Sequence, residues 1–206
     1  HSLDRRQRQM CIRDRPEGFQ ANPELVLEFY NQRRRQIVSA EPNEGHFALA
    51  RLEAIFDVSI VTQNVDDLHE RAGSSKVMHL HGEIRKAQST RNMDVVVDLP
   101  GTELNVGDQG PDGAQLRPHI VWFGEAVPMM DQALDVVASA DVVIVVGTSL
   151  QVYPAAGLVD YVPANASIHV VDPNTPLEES HRVTVHRCGA VEGLTALESQ
   201  WFEEHG

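Results

Sequence analysis

The amino-acid sequence predicts an α/β domain with a doubly wound parallel sheet. Segments with helical periodicity alternate with short runs rich in Val and Ile, of which 141–146 and 168–171 are the clearest. Such runs are typical of strands that are covered on both faces, and these occur mainly in parallel sheets. Aromatic residues make up only 5% of the chain, so an aliphatic core is expected. In such a sheet, ligands bind beyond the carboxyl ends of the strands.

The individual elements follow from periodicity and from the residues at their ends. Asn22 and Pro23 are typical of a helix N-cap and first helical position. A second helix is predicted over 44–56, and a short strand over 58–61 follows it. A short helix over 66–72 stops at Gly73, which suits a helix C-terminus. The remaining predicted elements are strands over 77–80, 141–146, 168–171 and 183–185, a β-like run over 95–97, a helix over 129–140, a helix that opens at 153–156, and a C-terminal helix.

Composition and charge limit the classes of function. The 206 residues, of which 42% are hydrophobic, suffice for one medium-sized domain with a real core. The net charge is −13, and outside the first fifteen residues 12 basic residues face 28 acidic ones. This acidic balance argues against nucleic-acid binding. The two cysteines, Cys11 and Cys188, indicate neither a disulfide framework nor a four-cysteine zinc site.

The sequence also predicts a cytoplasmic protein without a membrane partner. No apolar run reaches the ~18 residues that a transmembrane helix needs. The charged start of the chain does not resemble a secretory signal.

Polar residues follow two of the predicted strands. The run Thr62-Gln63-Asn64-Val65-Asp66 closes one strand, and His79-Leu80-His81-Gly82-Glu83 closes the next. Amide and carboxylate groups can bind sugar hydroxyls, and an imidazole with a pKa of about 6.5 can take a hydroxyl proton at neutral pH. In the alternative interpretations, Asp66 is only a helix N-cap, and His81 is a structural histidine or forms a metal pair with His79.

These two runs resemble the TQNxD and HG motifs of sirtuins, the NAD-dependent protein-lysine deacylases. The resemblance begins at Pro16 and covers about nine tenths of the chain. It implies a Rossmann-like fold, NAD as a cosubstrate and acyl-lysine proteins as substrates, and we expect a monomer. In the mechanism it implies, the acyl oxygen displaces nicotinamide from the ribose. His81 is then the general base on a ribose hydroxyl, and Asn64 places a water or the ribose.

The resemblance also implies the residues that contact NAD. Asp66 contacts nicotinamide, Ala190 lies beside adenine, and either Asp172 or Asn174 binds the adenosine ribose. The complete predicted set is Gln63, Asn64, Asp66, Gly147, Thr148, Ser149, Asp172, Asn174 and Ala190.

Two further segments carry the predicted substrate contacts. An extended peptide is expected to pair with the segment of Val121, Phe123, Gly124 and Glu125, which is alternatively an ordinary buried strand. In the sirtuin subset that removes acidic acyl groups, a Tyr-x-x-Arg pair binds the acyl carboxylate. Tyr30 and Arg33 match this pair on one helix face. Alternatively, residues 33–35 form a solvated basic helix end.

The chain departs from the sirtuin pattern in two places. Residues 1–15 have no hydrophobic period and are expected to be foreign or disordered. Residues 16–206 are then a truncated sirtuin-like domain, without the first strand and the Gly-rich phosphate loop. Sirtuins also carry a small zinc module on two cysteine pairs, but the corresponding insertion at about 83–118 contains no cysteine. No zinc is therefore expected, and other contacts must hold the insertion.

Two other classes of function stay open from the sequence. One is a non-catalytic nucleotide-binding scaffold. The other is a metal-dependent hydrolase that uses His79, His81 and a carboxylate such as Asp66.

Overall fold

The computed structural model describes residues 15–148 and 155–205, and these fall into two compact units. The first unit contains the chain up to Ala40 together with Asn64–Asp67 and His81–Ala126. The second unit contains Glu41–Gln63, Leu68–Leu80 and the chain from Val127 onward. Each unit has a hydrophobic core of its own and is described separately.

The helices and strands alternate along much of the chain. In chain order they are α1 (Pro16–Ala21), α2 (Pro23–Ser39), α3 (Glu44–Leu52), β1 (Ile60–Thr62), α4 (Leu68–Arg71), β2 (Val77–His79), β3 (Gly82–Ser89), β4 (Val96–Asp98), β5 (Leu116–Ile120), α5 (Met130–Ala138), β6 (Val142–Val146), a 3-10 helix (Ala155–Tyr161), β7 (Ser167–Val171), β8 (Val183–His186) and α6 (Ala190–His205).

The first unit packs α1 and α2 against a three-stranded antiparallel sheet with the order β4-β3-β5. The helix α2 begins as predicted, because the side chain of Asn22 accepts a hydrogen bond from the backbone N–H of Leu25. The core of this unit contains Val26, Leu27, Tyr30, Ile84, Leu104, Leu116 and Trp122.

Polar contacts as well as apolar packing hold the inserted segment of the first unit. The fully buried Arg34 donates to the carbonyls of Ile84 (2.7 Å) and Thr102 (2.9 Å). It also donates to the side chain of Asn31 at 2.8 Å, and Asn31 in turn binds both backbone groups of Leu104. The prediction of a solvated basic helix end is therefore wrong for Arg34. Its guanidinium faces the carbonyls of the insertion, where burial lowers its pKa to about 10.

The second unit contains two parallel sheets, β1-β2 and β6-β7-β8. The helix α6 approaches β7 so closely that a Cβ on Gly193 would lie 2.3 Å from a methyl carbon of Val171. The predicted α/β class with parallel strands is confirmed. The expectation that 141–146 is buried throughout is wrong, since Val142 is 40% exposed. Among the described residues β6 pairs with β7 only, so one of its edges carries no neighbouring strand.

The longest element that the sequence did not predict is β3. The predicted insertion contains only one β-like run, yet the structure forms three antiparallel strands there. None of the helices among residues 15–148 and 155–205 has the length and apolar character needed to cross a membrane.

Candidate active site

The polar run after β1 is divided between the two units. Thr62 and Gln63 belong to the second unit, where the carbonyl of Thr62 accepts a hydrogen bond from Leu80 N–H at 2.9 Å. Residues 64–67 belong to the first unit, where the carbonyl of Val65 accepts from Ile84 N–H at 2.8 Å. Asn64 is exposed, whereas Gln63 and Asp66 are half-buried. Backbone bonds on both sides thus hold the run that carries the predicted NAD contacts.

The predicted general base lies in the first unit beside the predicted substrate segment. The imidazole-bearing residue His81 is half-buried, and its carbonyl accepts a hydrogen bond from Val121 N–H at 2.9 Å. Gly82 follows with a φ of +85°, a left-handed conformation that favours glycine. A Cβ at this position would lie 2.1 Å from the carbonyl oxygen of His119. The glycine after the histidine is therefore required by backbone packing.

The segment 121–125 is an irregular turn beyond the end of β5. The alternative prediction of an ordinary buried strand is wrong here, because β5 ends at Ile120. Phe123 is 64% exposed, and Gly124 has a φ of +95°. Val121 is half-buried, and the ring of Trp122 is only 2% exposed. An apolar ring is thus presented to solvent two residues after Val121, whose N–H bonds to the carbonyl of His81.

Glu125 is engaged by the protein itself. Its carboxylate forms two hydrogen bonds with the guanidinium of Arg117, at 2.7 and 2.8 Å. One of its oxygens also accepts from the backbone N–H of Trp122 at 2.8 Å. The sequence predicts that Glu125 contacts substrate, whereas the structure places its carboxylate against these two neighbours.

The predicted acyl-binding pair lies on α2. Tyr30 is 4% exposed, and its hydroxyl oxygen accepts a hydrogen bond from the indole N–H of Trp122 at 2.9 Å. Arg33 is exposed, with its guanidinium carbon 4.6 Å from the ring centroid of Phe29. The ring of Phe29 also meets the ring of Tyr30 edge-on, at 5.2 Å between centroids. Phe29 therefore touches both members of the pair.

In the second unit, predicted NAD contacts follow the neighbouring parallel strands β6 and β7. Gly147 has a φ of +57° and donates its N–H to the carbonyl of Val171 at 3.0 Å. Asp172 comes next along the chain, and its carboxylate accepts from the backbone N–H of Asn174 at 2.7 Å. The structure thus brings Gly147 and Asp172 to the same edge of one sheet.

For three other predicted NAD contacts, the structure gives the exposure of two and does not describe the third. Thr148 is half-buried, and Ala190 is exposed at the first residue of α6. Ser149 lies outside the described residues.

His79, one of the two histidines that the metal-hydrolase alternative needs, contacts a carboxylate other than that of Asp66. The Nε2 atom of His79 lies 2.7 Å from a carboxylate oxygen of Glu70 on α4. Across residues 15–148 and 155–205, no group of three or more His, Cys, Asp or Glu residues could hold a metal ion.

Two buried residues that the sequence did not predict shape the predicted substrate segment. Arg117 and Trp122 are almost fully buried, and the guanidinium carbon of Arg117 lies 3.8 Å from the ring centroid of Trp122. The available signal was an arginine eight residues before Glu125, on a strand that enters the turn. Because a charged residue in a strand is usually interpreted as a surface residue, the sequence did not predict that Arg117 is buried against Trp122.

The chain is similar to a set of known proteins. A family model described as the Sir2 family matches residues 5–154. An NAD-dependent protein deacylase of Bacteroides thetaiotaomicron is 50% identical over 188 residues, which is 88% of this chain and 80% of that relative. An NAD-dependent protein deacylase of Aggregatibacter actinomycetemcomitans is 54% identical over 159 residues, covering 77% of this chain and 76% of that relative.

Solved structures are similar as well. A crystal structure of a Sir2 homologue in complex with NAD has a TM-score of 0.86 and 35% identity, covering 96% of this chain and 79% of that chain. A structure of Sir2 bound to acetylated peptide has a TM-score of 0.77 and 27% identity, covering 93% of this chain and 84% of that chain. Since the family model matches well over half of the sequence and the relatives are about half identical, the chain belongs to the Sir2 family, the sirtuins.

Proposed function

We propose that this chain is an NAD-dependent protein-lysine deacylase, which transfers the acyl group of a modified lysine to ADP-ribose and releases nicotinamide. The observation that carries the proposal is the hydrogen bond between the carbonyl of His81 and the N–H of Val121. It joins the predicted base to the predicted peptide segment within one compact unit. The relatives named as NAD-dependent protein deacylases support the same activity.

In this function, His81 takes a proton from a hydroxyl of the NAD ribose. An imidazole is suited to this step at neutral pH, because it changes its charge near the working pH. Its half-buried position leaves part of the side chain accessible. Asn64, which is exposed on the run that follows β1, holds a water or a ribose hydroxyl, and Asp66 holds the nicotinamide amide.

The residues at the ends of β6 and β7 fit a nucleotide. Among the described residues other than its chain neighbours, no atom lies within 4 Å of the position that a Cβ of Gly147 would take, so this part of the structure leaves room for a ligand to approach the backbone. Asp172 and Asn174 follow the next strand and supply acceptors and donors for ribose hydroxyls. We assign Thr148, Ser149, Gln63 and Ala190 to the same cosubstrate, which supplies the ribose carbon that accepts the acyl oxygen.

The peptide is proposed to pair with the backbone of 121–124, with Val121 and the exposed ring of Phe123 beside the lysine stem. A solved structure of Sir2 with an acetylated peptide supports this class of substrate. We further propose that acidic acyl groups such as succinyl are preferred. Among the described residues, no carboxylate forms an ion pair with the exposed Arg33, so its charge can meet an acyl carboxylate beside Tyr30.

Product identification tests this function. The chain is incubated with NAD and a peptide that carries an isotopically labelled acyl-lysine, and the products are separated by mass spectrometry. We expect the label on ADP-ribose, in an amount equal to the nicotinamide released. Label released as a free carboxylic acid without consumption of NAD would favour a hydrolase. A folded protein that binds NAD and forms neither product would favour the scaffold.

A further inference from the structure

A largely buried ion pair closes the turn that the proposed function assigns to the peptide. Arg117 is 7% exposed and holds both oxygens of the Glu125 carboxylate. Its Nη2 atom also donates to the carbonyl of Ile120 at 3.1 Å. On the other side, the backbone N–H of Glu125 donates to the carbonyl of Trp122 at 3.0 Å. These bonds fix the backbone from Ile120 to Glu125, which contains Val121 and Phe123.

The same guanidinium sets the ring of Trp122. It lies over this ring at 3.8 Å, while the indole N–H on the ring's edge donates to the hydroxyl of Tyr30 at 2.9 Å. Trp122 is therefore held between Arg117 and the residue to which we assign acyl recognition. A displacement of the guanidinium would move both the peptide turn and the support of Tyr30.

The remaining face of Arg117 is enclosed by polar groups of β3 and β5. With its amide oxygen turned toward Arg117, Gln88 accepts a hydrogen bond from Nε at 3.0 Å and lies at the same distance from Nη2. Its amide nitrogen then donates to Nδ1 of His119 at 2.7 Å. Arginine suits this place because its planar fork can meet a carboxylate, a carbonyl and an amide at once, whereas lysine is a point charge.

Stability alone gives no reason for this arrangement. Removing two charges from water costs about as much as their attraction returns, so apolar residues of similar volume would often be equally stable. The pair does, however, define one geometry for the turn.

We propose that Arg117 and Glu125 are positioning residues for the acyl-lysine peptide. They hold Val121 and Phe123 where an extended peptide pairs with them, and through Trp122 they fix the ring of Tyr30. This inference rests on the proposed function. It gives Glu125 a role in holding the turn in place of direct contact with the peptide.

The experiment compares Arg117→Lys, Glu125→Gln and the double variant in steady-state assays of nicotinamide release. We expect the KM for the acyl-lysine peptide to rise by about tenfold in each, because a misplaced binding element weakens productive binding. The kcat and the KM for NAD should stay within about twofold. Since the residues act as one pair, the double variant should match the more affected single variant. The matched control is Arg91→Lys, which changes an exposed arginine of the same unit.

Three results would overturn the inference. The first is an unchanged peptide KM in both single variants. The second is a fall in kcat that follows the folded fraction measured by circular dichroism, which is the behaviour of a purely structural brace. The third is a double variant whose KM change is the product of the two single changes, since this would mean that the residues act independently.

A spectroscopic measurement adds a readout that does not need turnover. The chain has two tryptophans, Trp122 and Trp201, so its indole N–H region should show two signals, and Trp201→Phe assigns them. We expect Arg117→Lys to shift the Trp122 signal and to leave that of Trp201 in place. An unshifted Trp122 signal would overturn the link to Tyr30. A wild-type chain that turns over no acyl peptide would instead refute the proposed function itself, which separates the two failures.

Discussion

The backbone of Gly82 lies directly against the carbonyl oxygen of His119. A Cβ on Gly82 would come within 2.1 Å of that oxygen, and the φ of +85° is one that other residues rarely adopt. The glycine of the His-Gly motif therefore lets β3 begin beside β5 immediately after the proposed base. Because Val121 N–H bonds to the carbonyl of His81 in the same region, the contact also determines where the proposed base lies relative to the proposed peptide segment.

Gly82→Ala should therefore destabilise the chain strongly. The new methyl group meets backbone, which cannot rotate away, and the residue keeps a strained φ. Together these effects should lower the free energy of unfolding by roughly 3 kcal/mol. Urea unfolding followed by circular dichroism measures the change. Gly101→Ala is the control, since no atom of the described chain, apart from its two sequence neighbours, lies within 4 Å of a Cβ at that position, and its φ is not in the left-handed region. Equal stability of the two variants would contradict the packing argument.

The acyl preference should depend on Tyr30 and Arg33. Tyr30→Phe combined with Arg33→Met should reduce kcat/KM for a succinyl-lysine peptide by about 10-fold or more, because a charge-assisted contact to the acyl carboxylate is lost. The value for an acetyl-lysine peptide should change by less than about threefold. Competition between the two peptides in one reaction measures the ratio. Arg35→Met is the control, since Arg35 forms ion pairs with Glu28 and Glu103 on the surface. A ratio that does not change in the double variant would refute the assignment.

The inserted segment should lose stability in acid through Asp112. The hydroxyl of Ser89 donates to this carboxylate at 2.6 Å, and this bond lowers the pKa of Asp112. A pKa that is lower in the folded state means stabilisation at pH values above the unfolded pKa of about 3.9, and its loss as the pH falls through the folded value. Asp112→Asn should therefore be less stable than wild type at pH 7, and the difference should shrink toward pH 3.

Thermal unfolding at several pH values measures this difference. Asp98→Asn, an exposed change on β4, is the control for general loss of negative charge. A difference between wild type and Asp112→Asn that stays constant from pH 7 to pH 3 would contradict the role of the carboxylate.

The second unit should lose stability below neutral pH through His169. Burial and the nearby imidazole of His186 lower the pKa of His169, although Glu204 opposes the shift. The ring nitrogens of the two histidines lie 3.3 Å apart, and Trp201 packs edge-on against His169. The unfolded chain binds a proton at higher pH than the folded chain, so stability falls as the pH drops below about 6.5.

His169→Gln should remove part of this pH dependence. Urea unfolding at pH 8 and pH 5.5 should give a smaller loss of stability in the variant than in wild type. His181→Gln, which changes an exposed histidine of the same unit, should behave like wild type. If His169→Gln loses as much stability between pH 8 and pH 5.5 as wild type does, protonation of His169 beside His186 is not the cause of the pH dependence.

Much of the fold could be predicted because local signals agreed with burial. The Asn22 cap, the Val-rich strands β6 and β7 and the stop at Gly73 were visible in the sequence, and the structure has each of them. The strand β3 was missed because its buried residues include Gln88 and Ser89, which are satisfied by hydrogen bonds with distant residues. The spacing of apolar residues cannot predict that a polar residue is buried when its hydrogen-bond partner lies elsewhere in the chain.

In the candidate site, too, some residues could be predicted from local sequence signals and others could not. Strand ends located Gly147 and Asp172 from the sequence, because the carboxyl ends of parallel strands meet at one edge. The roles of Arg34 and Arg117 could not be predicted, since each is a buried cation with partners outside its own helix or strand. These are Ile84 and Thr102 for Arg34 and the turn residue Glu125 for Arg117. Sequence patterns count arginine as a surface residue, and only the fold shows which arginines point inward.

The most direct test of the central claim measures both nicotinamide release from NAD and acyl transfer to ADP-ribose, with and without an acyl-lysine peptide, in wild type and in His81→Ala. We predict that release requires the peptide and that His81→Ala lowers the rate of acyl transfer by at least about 100-fold, as expected for loss of a general base. His81→Ala should keep the wild-type unfolding midpoint, and His181→Ala should keep wild-type activity. Peptide-dependent acyl transfer that survives in His81→Ala, or a folded wild type that releases no nicotinamide, would contradict the account.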